Sequence, residues 1–321
     1  MTTPEVLVDP VLAEMEHNFS ETRVAALGGG HGLACALKAI LQYADDLTAI
    51  VTVADDGGSS GRLSPALAIP PPGDIRMALL ALSPEGSIWR DLIEFRFEDG
   101  DVAGHSLGNL IIAALANLSG SFEEALDTVG RLLGAQGYVV PAAPVALVLE
   151  ADVAGALVTG QVAIARSRGG ISDVRVRPAD ARATPRAIAA IAAADQIVLG
   201  PGSLFTSVIA GLRVPGIADA VNEAGGRLVY VCNLTTQDGE TLGMTGLDHV
   251  AALESIGRVR RPDAVVAHDG ELEVPAGLMR VSLAADELPG VVVTNADIAD
   301  SSTEWPEHDP ARLGATLRRL A

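Results

Sequence analysis

Cysteine and aromatic residues are scarce in this chain, and their scarcity narrows the classes of protein that it can be. Only two cysteines occur among 321 residues, and their distant positions exclude a disulfide framework and a cysteine-rich metal site. Aromatic residues make up 3% of the sequence while hydrophobic residues make up 49%, so the core must be aliphatic. An abundance of Ala, Val, Leu, Ile and Gly is typical of buried parallel strands covered by helices.

Positive charge is also scarce. The 22 Lys and Arg residues face 41 Asp and Glu residues, which gives a formal net charge of −19. We therefore expect no nucleic-acid partner, because a nucleic-acid-binding protein neutralises phosphates with cationic side chains, and no attraction to an anionic membrane surface. A small anionic ligand stays compatible with this charge, because backbone dipoles act locally.

Long apolar runs are absent too. No stretch of about 20 uninterrupted apolar residues occurs, so we expect no membrane insertion. Residues 1–20 are polar and acidic and lack the basic and apolar regions of a signal peptide. We predict a cytoplasmic protein with a disordered N-terminal extension at residues 1–20 and a single α/β domain at residues 21–321. Closed homo-oligomers are the commonest assemblies of soluble proteins, and we expect one here.

Alternating apolar runs and polar turns predict the fold. A strand at Val24–Leu27, a helix at Leu33–Leu41 and a strand at Leu47–Val53 form a βαβ unit, which implies a parallel sheet. Residues 63–138 are predicted to be largely helical, and Val139–Pro178 to form antiparallel strands. Further strands and a closing helix are predicted at Gln196–Leu199, Leu228–Val231, Ala264–Ala267, Val291–Thr294 and Pro310–Leu320. The predicted fold class is α/β, a Rossmann-like three-layer sandwich with a mostly parallel sheet, a helical insertion and a small antiparallel β segment.

Three glycine-rich turns, after Leu27, Val53 and Leu199, each follow an apolar strand. The first passes into a helix, whose free N–H groups and dipole favour an anion. A tight turn needs glycine for its own backbone, so one such turn indicates little by itself. The carboxyl ends of parallel strands lie on one edge of a sheet, so three turns there favour a phosphate-bearing nucleotide ligand.

Several well-known motifs are missing. The first turn is not a strict G-x-G-x-x-G, and the chain has no G-x-x-x-x-G-K-[ST], which disfavours NAD binding and a P-loop NTPase. No base–nucleophile pair has a recognisable spacing, so we assign no catalytic residue.

The predicted ligand-binding residues line these turns and the loops that precede two helices. In chain order they are Gly28, Gly29, Gly30, His31, Gly32, Asp55, Asp56, Gly57, Gly58, Ser59, Ser60, Arg62, Asp74, His105, Asn109, Gly200, Pro201, Gly202, Ser203, Thr206 and Asn233. Asp55 and Asp56 can hold Mg²⁺ beside a phosphate, contact a ribose or base, or merely cap the next segment. Asp74 can bind a sugar hydroxyl or a metal, or cap its helix, and Ser203 can cap the helix that follows it.

Six motifs occur in the order ALGGGHGL, TVADDGGSSGRL, PPGDIR, GHSLGNL, GPGSLFTS and YVCNLTTQ. Together they resemble the YvcK family, the gluconeogenesis factors, and the match runs from about residue 22 to residue 255. The resemblance implies a CofD-like, Rossmann-like domain that binds UDP-sugars such as UDP-N-acetylglucosamine. It further implies a regulatory role, through proteins of cell-wall synthesis, in cell shape and peptidoglycan synthesis during growth on gluconeogenic carbon sources.

The resemblance extends to 2-phospho-L-lactate transferase, which uses a guanosine diphosphate-linked substrate with Mg²⁺ and has counterparts of Gly28–Gly32 and Asp55–Asp56. A transferase of that type is the alternative function. The sequence VADDGGSS after the second strand favours the YvcK branch. For this branch we expect a non-catalytic binder that requires no cofactor. Mg²⁺ would accompany a bound nucleotide diphosphate. The chain departs from the family pattern at His31, Met77 and Glu307, where Thr, Asn and a basic residue are common.

Overall fold

A seven-stranded parallel sheet forms the centre of the structure, a computed structural model that describes residues 21–300, 302–303 and 305–321. The predicted N-terminal extension lies outside these residues. The described strands are β1 Arg23–Gly28, β2 Asp46–Val51, β3 Tyr138–Pro141, β4 Val148–Val153, β5 Ala156–Thr159, β6 Ile171–Arg177, β7 Gln196–Leu199, β8 Arg227–Val231, β9 Ala264–His268, β10 Val292–Ala296, β11 Ala299–Asp300 and β12 Glu307–His308. The large sheet has the order β10-β9-β8-β7-β1-β2-β3, and every neighbouring pair in it is parallel.

Helices cover both faces of this sheet. The described α-helices are α1 Gly30–Ile40, α2 Gly58–Leu67, α3 Gly73–Ala81, α4 Ile88–Glu94, α5 Leu107–Ser119, α6 Phe122–Leu133, α7 Gln161–Arg166, α8 Pro185–Ala193, α9 Ala210–Leu212, α10 Ile217–Glu223, α11 Gly246–Ser255 and α12 Pro310–Arg318. Strands are added on opposite sides of β1, so right-handed crossovers place helices on opposite faces. In keeping with this, α1 packs against α3 and α12, whereas α8 packs against α10. The predicted Rossmann-like α/β fold is confirmed.

The strand order reverses between β1 and β7. β1 pairs with β2 on one side and with β7 on the other. In open parallel sheets, ligands bind in the crevice outside the carboxyl ends of the strands at such a reversal. The turns after β1, β2 and β7 all leave from this carboxyl edge. The fold therefore places the glycine-rich turns around one crevice.

The core is aliphatic, as the composition predicts. All residues of β1 after Arg23 are buried, and β7 is buried throughout. Strands that are covered on both faces have no solvent-facing side, which explains their continuous apolar sequences. The aromatic Tyr230 of β8 is only 1% exposed, and its hydroxyl is hydrogen bonded to Nδ1 of His249 at 3.0 Å. The polar end of this large side chain is thus satisfied inside the core.

Among the described helices, six begin at a side-chain cap. The capping residues, whose side chains accept a hydrogen bond from a first-turn N–H, are Ser87, Ser106, Ser121, Thr184, Thr245 and Asp309. Such caps satisfy amides that have no partner within the helix. The sequence pattern predicts the cap at Ser121. The helices that start around the crevice are built differently, as described below.

Two segments differ from the prediction. We predict antiparallel pairing from Val139 onward, but β3 is the edge strand of the parallel sheet and pairs with β2. β3 is too short to reveal a burial pattern, and its Pro141 is tolerated because an edge strand needs no second ladder of hydrogen bonds. The antiparallel segment is confirmed from Val148, with the order β5-β4-β6. α1 begins at Gly30, before the predicted Leu33, so its first turn contains glycine.

The helix after β7 is irregular. It is π-helical over Leu204–Ile209 and continues as α9, and every residue of this stretch is buried. No single described helix is long and apolar enough to cross a membrane. The bent pair Leu204–Leu212 and Ile217–Glu223, at 73° to each other, does reach the required length and composition. Burial of the first member of this pair shows that it belongs to the protein core.

Replacing Leu27 by Ala in β1 tests the core. Leu27 is 1% exposed, and truncating a buried Leu removes both apolar burial and packing, so we expect the free energy of unfolding to fall by ~2–5 kcal/mol. Urea unfolding at equilibrium measures it. The control is Leu118→Ala on α5, where the side chain is 84% exposed and the change should stay within ~0.5 kcal/mol. Equal effects at both positions would contradict this assignment of the core.

Candidate functional site

The turns after β1 and β7 are in direct backbone contact. A Cβ on Gly32 would lie 2.7 Å from Cα of Gly202 and would collide with the carbonyl oxygen of Pro201. A Cβ on Gly202 would lie 3.5 Å from the carbonyl oxygen of Gly29. Glycine is therefore required at position 32, where a side chain would push the turns apart, and it is favoured at position 202 by a φ of +140°.

Asn233 fastens the turn after β7 to the loop after β8. Its Oδ1 accepts from the N–H of Gly202 at 2.9 Å, and its Nδ2 donates to the carbonyl oxygen of Gly202 at 2.9 Å. The side chain is 8% exposed. Because the backbone of one residue already occupies both ends of the carboxamide, Asn233 holds the turn in place, and its predicted contact with a ligand stays a prediction.

The paired carboxylates after β2 diverge. Asp55 Oδ1 accepts from the N–H of Gly57 at 2.9 Å, while Asp56 Oδ1 accepts from the N–H of Val162 at 3.0 Å. Val162 lies in the first turn of α7, in the antiparallel segment. Asp56 thus docks that segment onto the parallel sheet, and the two adjacent residues do not present their carboxylates as one pair.

Asp74, in the first turn of α3, is the carboxylate that lies beside Asp55. A Cβ on Gly29 would lie 2.5 Å from Asp74 Oδ2, and a Cβ on Gly73 would lie 3.0 Å from Asp55 Oδ2. Burial, followed by the negative charge of Asp55, raises the pKa of Asp74 to about 7, against the opposing effect of the Gly30 N–H. Asp74 as a whole residue is half-buried, but its carboxyl group lies deeper than the rest of it. This depth explains why burial has a large effect on its pKa.

Four polar side chains form a hydrogen-bonded chain at the starts of α2 and α5. Arg76 Nε donates to Asn109 Oδ1 at 3.1 Å, Asn109 Nδ2 donates to Ser59 Oγ at 3.1 Å, and Ser59 Oγ lies 3.0 Å from His105 Nδ1. Partial burial, then Arg62 and Arg96, lowers the pKa of His105. A neutral imidazole can accept from the hydroxyl. Sequence spacing could not reveal this serine–histidine pair, because its members are 46 residues apart.

Ser60 and Arg62 are held by neighbouring segments. Ser60 Oγ accepts from the N–H of Gly73 at 3.0 Å, which links the start of α2 to the start of α3. Arg62 Nη2 donates to the carbonyl oxygen of Ala103 at 2.9 Å, in the loop before α5. Arg62 is exposed, so its remaining N–H groups stay available for an anion.

Three helices begin together at the crevice without a side-chain cap. The N-cap residues of α1, α2 and α3 are Gly29, Gly57 and Pro72, and none of them gives a side-chain hydrogen bond. The contacts of Asp74 with Gly29 and of Ser60 with Gly73 bring the three starts together. The Gly30 N–H is directed at Asp74 and the Gly73 N–H donates to Ser60 Oγ, so the other first-turn amides, with the dipoles of the three helices, form the candidate site for an anion. Gly28, Gly30 and Gly58 belong to the same turns.

The helix after β7 differs, because a carboxylate of the protein already occupies its start. Glu240 accepts from the N–H groups of Phe205 at 3.2 Å and Thr206 at 3.4 Å, and from Thr206 Oγ1 at 2.5 Å. Burial raises the pKa of Glu240 despite these hydrogen bonds. The predicted ligand residue Thr206 is therefore bonded within the protein. Ser203 does not cap the helix, because its Oγ accepts from Gln237 Nε2 at 3.2 Å.

A cavity of about 730 Å³ opens beside the contact between the turns. The predicted residues His31, Gly32, Pro201, Gly202 and Asn233 line it. Lining residues that sequence reasoning did not assign to the site are Cys35, Leu234, Thr235, Thr236, Gln237, Asp238, Ala276, Leu278, Trp305, Pro306, Glu307 and His308. The motif YVCNLTTQ and the departure at Glu307 were the available signals. A cavity of similar size, about 760 Å³, lies at the opposite edge, where Asp46 and Tyr138 begin their strands.

A Mg²⁺ ion fits this donor set only in part. The described residues contain no group of three or more His, Cys, Asp or Glu side chains that could hold a metal. Asp55 and Asp74 lie close together and are hard oxygen donors, and Mg²⁺ commonly binds one or two carboxylates together with phosphate oxygens and water. These two residues would hold the ion with a bound diphosphate, and the predicted pair Asp55 and Asp56 stays a prediction.

The chain is similar in sequence and in structure to several known proteins. A family profile described as "2-phospho-L-lactate transferase CofD" matches residues 24–297. A Mycobacterium tuberculosis protein described as "Putative gluconeogenesis factor" is 43% identical over 310 residues, which cover 92% of this chain and 89% of that protein. The "Gluconeogenesis factor" of Bacillus subtilis is 46% identical over 233 residues, which cover 72% of this chain and 74% of that protein. A crystal structure of a Bacillus halodurans protein has a TM-score of 0.88 at 35% identity and covers 93% of this chain and 99% of that chain.

Replacing Gly32 by Ala tests the contact between the turns. Ala is favoured over Gly within a helix by ~1 kcal/mol, but overpacking against the rigid backbone of Pro201 costs ~1–3 kcal/mol. We expect the free energy of unfolding, measured in urea, to fall. The matched control is Gly225→Ala, where nothing lies within 4 Å of the added Cβ and no loss is expected. A variant at Gly32 that is as stable as the wild type would contradict the close approach.

Replacing Asp74 by Asn tests the shifted pKa. The folded protein binds this proton more tightly than the unfolded chain, so Asp74 should lower stability increasingly as pH rises from about 4 to about 7. Asn keeps the acceptor oxygen and cannot ionise. In urea titrations with EDTA, the stability of the wild type relative to Asp74→Asn should therefore decline across this range and level off above it. A pH-independent difference between the two proteins would rule out the shift.

Proposed function

Because the chain belongs to the CofD family, in the branch of the gluconeogenesis factors, we propose that it binds a UDP-sugar of the UDP-N-acetylglucosamine type and acts as a regulatory protein. The observation that carries this proposal is the meeting of three uncapped helix starts at the reversal of strand order. A diphosphate is the group that such amides bind best. The cavity beside the start of α1 is large enough for the rest of a nucleotide sugar.

The net charge of −19 does not argue against an anionic ligand. The diphosphate would lie against the first-turn amides near His31 and Ser59, where each helix contributes about half a positive charge. Asp55 and Asp74 would then carry Mg²⁺ or accept hydrogen bonds from sugar hydroxyls. The raised pKa of Asp74 supports this arrangement, because a partly protonated carboxyl repels a phosphate less than a carboxylate does.

The cellular role follows from the family and is part of the same proposal. The protein would report the level of a cell-wall precursor during growth on gluconeogenic carbon sources, and so act on cell shape and peptidoglycan synthesis. The protein would act in the cytoplasm as a homo-oligomer. Its partners would be proteins that regulate cell-wall synthesis. The relative from Bacillus subtilis carries the name "Gluconeogenesis factor".

A second candidate is a Mg²⁺-dependent transferase of the 2-phospho-L-lactate transferase type. The hydrogen bond between Ser59 and His105 favours it, because a neutral histidine beside a hydroxyl can move a proton. The nearby carboxylates of Asp55 and Asp74 would hold the metal. When bound, the ion would neutralise the charge on the diphosphate bridge as it breaks and a nucleoside monophosphate leaves. The two candidates share one site and differ in whether a group is transferred.

A carboxylate introduced at His31 tests the diphosphate site. His31 is exposed in the first turn of α1, so His31→Glu should leave folding intact, since an acid there suits the helix dipole. It should weaken UDP-N-acetylglucosamine binding in isothermal titration about tenfold or more, because charges ~4 Å apart repel by ~1–4 kcal/mol. His31→Gln is the neutral control. Wild-type protein that gives no heat at millimolar ligand and Mg²⁺ would refute the proposal.

Mass spectrometry separates the two candidates. The protein is incubated with lactate-linked guanosine diphosphate, the deazaflavin acceptor and Mg²⁺, and transfer of the phospholactyl group with release of the guanosine monophosphate is followed over many turnovers. The regulatory function predicts no transferred product. Product formed at a catalytic rate and lost in Asp55→Asn would instead establish the transferase.

A further inference from the structure

Gln237 carries a buried polar atom without a partner at the wall of the cavity. Its Oε1 is one of two buried side-chain atoms of the described residues that have no hydrogen-bond partner. The residue lines the cavity beside the turns after β1 and β7. An acceptor left unpaired in a buried position costs ~1–3 kcal/mol, so a ligand that donates to it gains affinity.

The rest of the Gln237 residue is fixed. Its Nε2 donates to Ser203 Oγ at 3.2 Å, and its backbone N–H donates to Thr241 Oγ1 at 2.9 Å. The carboxamide is thus oriented by the turn after β7, the same turn that contacts Gly32. Since Nε2 is already used, Oε1 is the carboxamide atom without a partner, and a group that pairs with it must bring a donor.

The remaining walls suit a flat ring. Leu234, Ala276 and Leu278 supply apolar surface, and the indole of Trp305, which is 58% exposed, stands at the rim. Aromatic side chains and apolar walls bind bases through their faces, while polar groups read their edges. The cavity therefore combines apolar surface for a base with a polar lining, in which Gln237 Oε1 is the buried acceptor without a partner.

We propose that this cavity is the nucleobase subsite of the ligand and that Gln237 Oε1 accepts the imide N–H of a uracil ring. The inference rests on the proposed function, which supplies the diphosphate on the adjoining turns. Uracil N3 carries a hydrogen, whereas N3 of cytosine carries a lone pair that would face Oε1. Gln237 is in this way a specificity-determining residue that favours a uridine ligand over its cytidine analogue.

Trp305 provides a direct readout of the cavity. The chain has two tryptophans, so Trp89→Phe leaves Trp305 as the single reporter. UDP, which has no sugar, is titrated into this background with Mg²⁺ while tryptophan emission is followed. UDP should change the emission and should bind about tenfold or more tightly than CDP or N3-methyl-UDP, each of which lacks the imide N–H. Gln237→Leu, in the same background, should lose affinity for UDP and bind all three alike.

The control and the outcomes separate this proposal from the previous one. Gln136→Leu makes the same chemical change at the opposite edge of the sheet and should leave all three affinities unchanged. UDP binding that Gln237→Leu does not weaken, or a preference for UDP over N3-methyl-UDP that survives in that variant, would overturn the role of Gln237 and leave the proposed function standing. Absence of UDP binding to the wild type would overturn both.

Discussion

The contact between the turns after β1 and β7 is the constraint on which the site depends. Gly32 and Gly202 approach so closely that a side chain on Gly32 would collide with the backbone of Pro201. This contact lies where the strand order reverses, and it sets one wall of the cavity. On its other side the first turn packs against Asp74, which brings α3 and, through Ser60, α2 to the same place. The glycine-rich turn after β1 thus connects the cavity on one side with the starts of α2 and α3 on the other.

Much of the fold can be predicted from local sequence. Apolar runs indicate the strands, and glycine-rich turns indicate to within a few residues where the strands end. The strands β1, β2, β7 and β8 are of this kind, whereas α1 begins three residues before its predicted start. β3 was assigned wrongly, since a strand of four residues does not show which sheet it joins. The roles of Asp56, Thr206 and Asn233 also escaped sequence reasoning, because their partners Val162, Glu240 and Gly202 are distant in the chain.

The electrostatics reconcile an acidic protein with an anionic ligand. Helix dipoles act over the first turn, whereas the net charge of −19 is spread over the whole surface and screened by salt. Within the site, burial and then the negative charge of Asp55 raise the pKa of Asp74, so the negative charge beside the diphosphate position is reduced. Glu240 accepts from two first-turn amides of the helix after β7, whereas at α1 Asp74 accepts from the Gly30 N–H, so α1, α2 and α3 are the better candidates to hold an anion.

Hydrogen–deuterium exchange of the full-length protein with and without UDP-N-acetylglucosamine and Mg²⁺ tests the central claim most directly. A diphosphate held by uncapped helix starts should slow exchange in peptides that contain Gly29–Gly32 and Gly57–Ser60. Peptides at the opposite edge, around Asp45 and Gln136, should be unaffected. Ligand binding that leaves the Gly29–Gly32 peptide unchanged, or that protects the opposite edge instead, would contradict an anion site formed by these turns.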